Sequence, residues 1–507
     1  MKKILLATLL AGSVLTSCNM DLAPVGELDN TTAVQTVQDC RLMRNGLYSG
    51  LRSMHSGGYL SYPEIQMDLF HGMINNGNRY GEWSNGLLTP GTSQFASFWG
   101  GMYSAINTAN FLLEKIPEVT ANTTDTIGRC QLKQYEGEAR FARAYFYFWL
   151  ADHFCPVYSE TTAGQNVGLP MVTKYYPTGD RSLYPGRSTL KETFDFIQSE
   201  MNTAYNLLAE YELLFPKEGP KQNNPYLSTT AIKAIQARVA LVKGDYQTAY
   251  EAATSIINDE SETFSLTTIK DYETLWYDDK GTEVIFRPFM SNTELGSASG
   301  APYRSNGNTS DYIPTTDILD LYGDGDIRWY AFIDPQYLVI EGEEVPAYTF
   351  NKFPGNEALW TTSENNFVNM PKAIRLSEVY LIAAEAAAYL NKNQESTYYL
   401  NELRVNRIEG YDTETGTMSG ELLKKAIREE RLKELIGEGF RMSDLRRWNL
   451  GFKRNPKHTE VDGLDKYIVK IGSDLSYPAG DHRFVWPIPT SEMENNPQLA
   501  GQQNSGY

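Results

Sequence analysis

The stretch TTAIKAIQARVALVKGDYQTAYEAATSIIN, residues 229–258, decides the fold. Residues 229–242 read as one helix, Gly244-Asp245 as a tight turn, and residues 246–258 as a second helix carrying Ala249, Ala252 and Ala253. Two short helices, small residues where they cross and a Gly-Asp turn make a tetratricopeptide-like helical hairpin. The pattern repeats at 374–390 and 395–407, with Asn391-Lys392-Asn393 as the turn. A looser copy joins the aromatic helix 131–154, stopped by Pro156, to a helix capped at Ser188 or Thr189 and ending near residue 211. Apolar residues recurring at three and four predict further amphipathic helices over 38–51 and 95–116.

Between the hairpins lies a long insertion, 264–370, in which Trp276, Tyr277, Tyr303, Tyr312, Trp329, Tyr330 and Trp360 stand among many Gly, Asn, Ser, Thr and Pro residues. Val284-Ile285-Phe286 and residues 337–340 read there as short strands and the rest as loop. A loop of that length inside a compact body points to function. The expected class is therefore mainly α: helical hairpins with long loop insertions and a few short strands. One continuous body is expected over 38–507, divided into an N-terminal helical half (38–263), the insertion (264–370) and a C-terminal helical half and wrap (371–507).

Of 507 residues, 45 are Lys or Arg and 63 are Asp or Glu, a formal net charge of −18. Such a chain is no general nucleic-acid binder, because phosphate backbones are held by clustered cations. The 33 tyrosines outnumber the 21 phenylalanines, and Tyr suits half-exposed aromatic surface. The five histidines are scattered, so neither a metal site nor a cofactor is expected.

The N-terminus carries an address. Met1-Lys2-Lys3 precedes an apolar run of about a dozen residues and then Leu15-Thr16-Ser17-Cys18. The run is too short to span a bilayer but suits a signal segment, and the tetrapeptide resembles a bacterial lipobox. The expectation is a signal peptide over 1–17, a lipid on Cys18 and a polar tether over 18–37. Without residues 1–17 the charge becomes 43 − 63 = −20. Cys40, Cys130 and Cys155 then remain, enough for one disulfide at most.

Three constellations invite chemistry. Asp320, Asp324 and Asp326 could suggest a cation loop, but EF-hand spacing is absent, and pairing of Asp326 with Arg328 explains the cluster better. Glu430, Glu434 and Glu438 share one helical stripe, yet Arg428, Arg431, Arg441, Arg446 and Arg447 crowd them, so they read as an ion-pair lattice and not as the carboxylates of a glycosidase. Trp149, Trp448 and Trp486 read as core. Trp83, Trp276 and Trp360 lie instead in loop-like surroundings, where flat rings can stack on sugars while neighbouring polar groups bond the hydroxyls. Neither a P-loop nor GxGxxG, HExxH or GxSxG occurs, and no catalytic residue is assigned.

The last third carries the run from Ile374 to Leu381 with Ala384-Glu385-Ala386, then Asn401-Glu402-Leu403-Arg404, Ile427-Arg428-Glu429-Glu430-Arg431, Glu438-Gly439-Phe440-Arg441 and Asp444-Leu445-Arg446-Arg447-Trp448. Trp486-Pro487-Ile488-Pro489 and Asn496-Pro497-Gln498-Leu499 follow, and the run from Arg140 to Tyr147 stands upstream. In these motifs the chain resembles the SusD/RagB family of Bacteroidetes outer-membrane nutrient-binding lipoproteins. One departure is Cys155, where the family has Gly at the exit of the aromatic helix.

The resemblance implies a lipid-anchored protein of the outer membrane, facing outward. It implies that the protein sits as a lid on a SusC-like TonB-dependent transporter and captures oligosaccharides, or in some branches peptides, for import. The family motifs lie on packing helices and transfer no ligand contacts. The candidate glycan contacts are therefore those of the loop-and-aromatic reading: stacking on Trp83, Trp276 and Trp360, with Asp68, Tyr80 and Tyr303 adding polar contacts. The alternatives are a peptide binder on the same scaffold, an exported glycoside hydrolase, and a scaffold with no small ligand.

Overall fold

The computed structural model describes residues 33–74, 81–261, 263–413, 416–458 and 463–507. Helix α1 (Val37–Met54) starts with a capping box in which Thr36 and Asp39 satisfy each other's backbone N–H groups. After a left-handed Gly57 the chain turns into α2 (Gly58–Ile65) and the strand β1 (Phe70–Gly72). Two long helices, α3 (Ser93–Asn122) and α4 (Thr126–Phe154), then pack side by side. Buried Phe141, Ala144, Tyr145 and Phe148 place much of α4 inside the core. Helix α5 (Leu190–Leu214) returns along α4, opened by a second capping box between Thr189 and Glu192.

The decisive stretch folds as read. Helix α6 (Thr229–Lys243) ends at Gly244 with φ 80°, a conformation Gly adopts without Cβ strain. Asp245 then caps α7 (Tyr246–Ile257), accepting the Thr248 N–H at 3.1 Å. Downstream, α8 (Tyr272–Tyr277), β2 (Val284–Phe286), β3 (Tyr312–Pro314) and α9 (Ile327–Phe332) occupy the insertion. They are followed by a hairpin of β4 (Ile333–Ile340) and β5 (Glu343–Phe350), turned by Glu341 and Gly342 at φ 53° and 85°. Two successive left-handed residues match the twist of a two-residue hairpin. The insertion is thus more structured than the sequence reading allowed, with 333–350 a full antiparallel pair and not a lone strand over 337–340.

The third hairpin begins with β6 (Ile374–Arg375), paired to β2, and continues as α10 (Leu376–Tyr389) and α11 (Asn393–Val405). Helix α10 packs on α6, α7 and α11 through fully buried Ala383, Ala384, Ala386 and Ala387, whose small side chains let the backbones approach. Helix α12 (Gly420–Leu435) and the short α13 (Arg441–Arg447) close the C-terminal half.

Glu430, Glu434 and Glu438 form an ionic centre among the described residues, but not on one helical stripe: α12 ends at Leu435 and Gly437 takes φ 82°, so Glu438 lies beyond the helix. Glu434, wholly buried, is met by Arg375 at 2.8 Å, Arg407 at 2.9 Å and Arg328 at 3.3 Å. Glu430 pairs with Arg404 at 2.6 Å, and Glu438 with Lys352 at 2.7 Å. Glu283, next to β2, bridges Arg375 and Arg407 at 2.6 and 2.7 Å, so the lattice fastens the insertion to the C-terminal helices. Asp326 caps α9 and pairs with Arg328 at 2.8 Å, as read from the sequence.

Candidate functional site

The proposed stacking platforms are corrected by their placement. Trp83 is 1% exposed and packs among Tyr62, Phe95 and Trp486, with ring centroids 4.4 to 5.6 Å away. Trp276 is also 1% exposed, and its ring lies 4.5 Å from the ammonium of Lys352 and 4.7 Å from that of Lys372. Tyr303 is buried between Phe70 and Phe350, at 4.8 and 4.9 Å. None of these rings presents a face to solvent on which a glycan chain could stack. Loop-like composition marks where the chain lacks periodicity, but a loop folded onto a body buries its large aromatics first, because they carry the most apolar area.

Asp68 is likewise engaged, accepting from Arg441 Nε at 2.9 Å and Nη2 at 2.6 Å. Trp360 is half-buried beside Leu359, and its indole Nε1 makes no hydrogen bond to another protein group. Tyr80 and Cys18, with the signal segment, lie outside the described residues. Trp448, expected in the core, is only half-buried and donates Nε1 to Glu385 at 2.7 Å.

The insertion instead gathers a different set. Tyr277, at the end of α8, is 40% exposed, and its hydroxyl accepts from Asn351 Nδ2 at 2.9 Å. Asn351 follows β5, where its N–H donates to Phe332 at 2.7 Å, and its Oδ1 accepts from Arg304. Arg304 pairs with Asp334 on β4 at 2.9 Å, both side chains about one-quarter exposed (25% and 29%). Gln336, two residues along the same strand face, donates to the same carboxylate at 2.9 Å. The loop carrying Arg304 is tied to that carrying Trp360 through Asn306, whose Nδ2 donates to the Asn365 carbonyl at 3.0 Å.

Tyr277, Asn351, Arg304, Asp334 and Gln336 thus form one chain of aromatic, amide, guanidinium and carboxylate, exposed at Tyr277, part-exposed at Arg304, Asp334 and Gln336, and buried at Asn351. An exposed ring can carry the apolar face of a sugar while such polar groups exchange their mutual bonds for hydroxyls. Tyr277 was visible among the aromatics of the insertion. Its partners were not, because Arg304, Asp334 and Asn351 meet only when the β4–β5 hairpin closes.

Nothing in the ionic lattice is arranged for acid–base work. Burial pushes the Glu438 carboxyl up, but the Arg375 guanidinium and the Lys352 ammonium outweigh it and hold it below the ordinary range. Glu434 is driven far lower, since the charges of Arg407, Arg375 and Arg328 overcome a large desolvation cost. Carboxylates held ionised in this way are poor proton donors. Among the described residues no group of three or more His, Cys, Asp or Glu is arranged to hold a metal ion, and no helix is long and apolar enough to cross a membrane.

A family model described as "SusD family" matches residues 242–507 of this chain, and one described as "starch-binding associating with outer membrane" matches residues 40–241. The curated SusD-like protein P38 of Formosa agariphila is 24% identical over 544 residues, covering 98% of this chain and 97% of its own length. A SusD superfamily crystal structure from Bacteroides thetaiotaomicron superposes with a TM-score of 0.74 at 26% identity, covering 91% of this chain and 98% of that one. A structure described as a laminarin-binding SusD-like protein has a TM-score of 0.68 at 20% identity over 94% of this chain and 100% of that one, which shows a shared fold.

Proposed function

This chain belongs to the SusD family, and from that premise we propose that it binds oligosaccharides without cleaving them. It delivers them to a TonB-dependent transporter of the SusC type, held at the outer membrane by lipid on Cys18. The observation that carries the reading is the exposed Tyr277 ring set beside Asn351, Arg304 and Asp334, with Trp360 on a loop tied to the same place. The laminarin-binding relative and the starch-binding description of the N-terminal match support a glycan as the ligand class. The ion-paired carboxylates of Glu434 and Glu438 support binding without hydrolysis.

Calorimetric titration of the protein against plant, host and microbial oligosaccharides, with a peptide pool alongside, tests this. Binding to one glycan class, lost in Tyr277→Ala, is the expected result. A signal from peptides alone would move the protein to a peptide-importing role. Release of reducing ends from any bound glycan would refute the non-catalytic reading.

A further inference from the structure

A cavity of about 80 Å³ lies where the N-terminal helices and the insertion meet the C-terminal half; none of the rim residues lines it, although Trp276 and Phe353 of its wall are chain neighbours of Tyr277 and Asn351. At roughly 10–15 Å³ of such space per water, it has room for about five to eight, close to the bulk of one sugar ring. Tyr145, Phe148 and Trp149 of α4, Leu241 of α6, Met370 and Phe440 give it a largely apolar wall.

Its polar lining carries no net demand for charge. Arg238 pairs with Glu378 at 2.6 Å, Lys372 with Asp279 at 2.6 Å and Arg431 with Asp444 at 2.7 Å. Asp152 pairs with Arg446 at 2.9 Å, and Glu438 with Lys352 at 2.7 Å. Burial holds His55 and His153 well below their ordinary range, so both rings are neutral. Two hydrogen-bonding positions nevertheless remain open. His55 Nε2 is buried and makes no bond to another protein group. Asp152 accepts both Ser443 and Arg446 through Oδ1, leaving Oδ2 unused. Leu60, Val242, Met370 and Phe440 are only half-buried, so the cavity is not sealed by core side chains.

We propose that this cavity is a second binding site, distinct from the loop rim, for a single uncharged, hydroxyl-bearing ring no larger than a monosaccharide. The ring's apolar face lies on Trp149 and Phe440, and its hydroxyls meet His55 Nε2 and Asp152 Oδ2. A charged ligand is disfavoured, because every ion in the wall already has its counter-ion. An oligomer is excluded by volume. The site does not depend on the loop-rim reading.

Tryptophan emission reports on the cavity directly, since Trp149 and Trp276 line it. The purified protein is titrated with D-glucose, D-galactose, D-mannose and, as charged and acyclic probes, acetate and glycerol, with calorimetry in parallel. The expected result is saturable binding of at least one monosaccharide. Val242→Phe at the half-buried edge should weaken it at least tenfold, His55→Gln should weaken it as well, and Tyr277→Ala at the loop rim should leave it unchanged. Circular dichroism checks that each variant is folded. Absence of saturation with every monosaccharide, tighter binding of acetate than of any sugar, or binding lost in Tyr277→Ala and retained in folded Val242→Phe would each overturn the assignment.

Discussion

Asp68 and Arg441 are joined by two parallel hydrogen bonds, 2.9 and 2.6 Å, across 373 positions of sequence. Burial alone would raise the Asp68 carboxyl, but the Arg441 charge and its hydrogen bonds hold it below its ordinary value. The pair fixes the segment after α2 onto the start of α13, and neither side chain is more than 18% exposed. Removing the carboxylate leaves a buried guanidinium short of a partner. Asp68→Ala should therefore cost about 2–3 kcal/mol of stability, measured by denaturant unfolding, and leave glycan affinity intact. Loss of affinity with unchanged stability would return Asp68 to the binding site.

Glu434 carries a larger stake. It compensates parts of three buried guanidinium groups at once, and desolvated charges are costly when one partner goes. Glu434→Gln keeps the shape and removes the charge, so the loss should approach about 3–5 kcal/mol. Glu421→Gln, whose side chain is 73% exposed in its pair with Arg428, serves as the control and should leave stability nearly unchanged. Equal losses at the two positions would contradict the lattice as a stabilising centre.

How far the sequence carried depends on the range over which each feature is encoded. The α6–α7 hairpin was legible because its turn, cap and small residues are neighbours: Gly244 and Asp245 alone specify the reversal. The Glu430/Glu434/Glu438 lattice was legible as a class but not in its partners: Arg428, Arg431, Arg441, Arg446 and Arg447 pair with other carboxylates, and the three glutamates meet Arg328, Lys352, Arg375, Arg404 and Arg407 from elsewhere in the chain. Trp83 was misread because what decides its exposure is Trp486, packed on it at 5.6 Å from the far C-terminus. The β4–β5 hairpin was half seen because Pro335 and Pro346 interrupt its strands, and Pro argues against a central strand. Both prolines lie in an isolated two-stranded pair, where each strand has a free edge.

Acidification should destabilise the fold from about pH 6.5 downward. His71, His153 and His458 are buried, and burial first among the causes lowers them from 6.5 to about 3, 4 and 4. His458 shows why geometrically: Nδ1 lies 2.6 Å from the Pro314 carbonyl while Nε2 accepts the Tyr348 N–H at 3.1 Å, so a second proton has no acceptor. Below pH 6.5 the unfolded chain binds protons that the folded one refuses, and stability falls by about 1.4 kcal/mol per pH unit for each histidine. Glu64 acts the other way. Burial raises its carboxyl from 4.5 to about 7, so its contribution is lost as pH rises through that window. With His55, lowered likewise to about 3 by burial and the Arg238 charge, four histidines outweigh one carboxyl. Calorimetric melting should show a lower midpoint at pH 5.5 than at pH 7.5, with a shallower fall in His458→Gln; a midpoint that rises on acidification would contradict the balance.

At the loop rim, stacking area and polar contacts should separate in the measurement. Tyr277 presents a ring that is 40% exposed and little engaged by the core, so Tyr277→Ala should remove most of the affinity for an established oligosaccharide while shifting stability little. Tyr277→Phe keeps the ring and loses only the bond from Asn351, so it should retain most of the affinity. Arg304→Ala breaks the link between Asn351 and Asp334. Because Arg304 and Asp334 are part-exposed, most of its cost should appear in binding, about 1–2 kcal/mol or roughly tenfold in affinity, with a smaller loss of stability because the buried Asn351 Oδ1 loses a donor. Trp360→Ala tests whether the neighbouring loop extends the same surface: a loss with longer oligomers but not with short ones is expected if it holds a further sugar unit. Full affinity in both Tyr277→Ala and Arg304→Ala, with the ligand still bound by the wild-type protein, would place glycan recognition away from this rim.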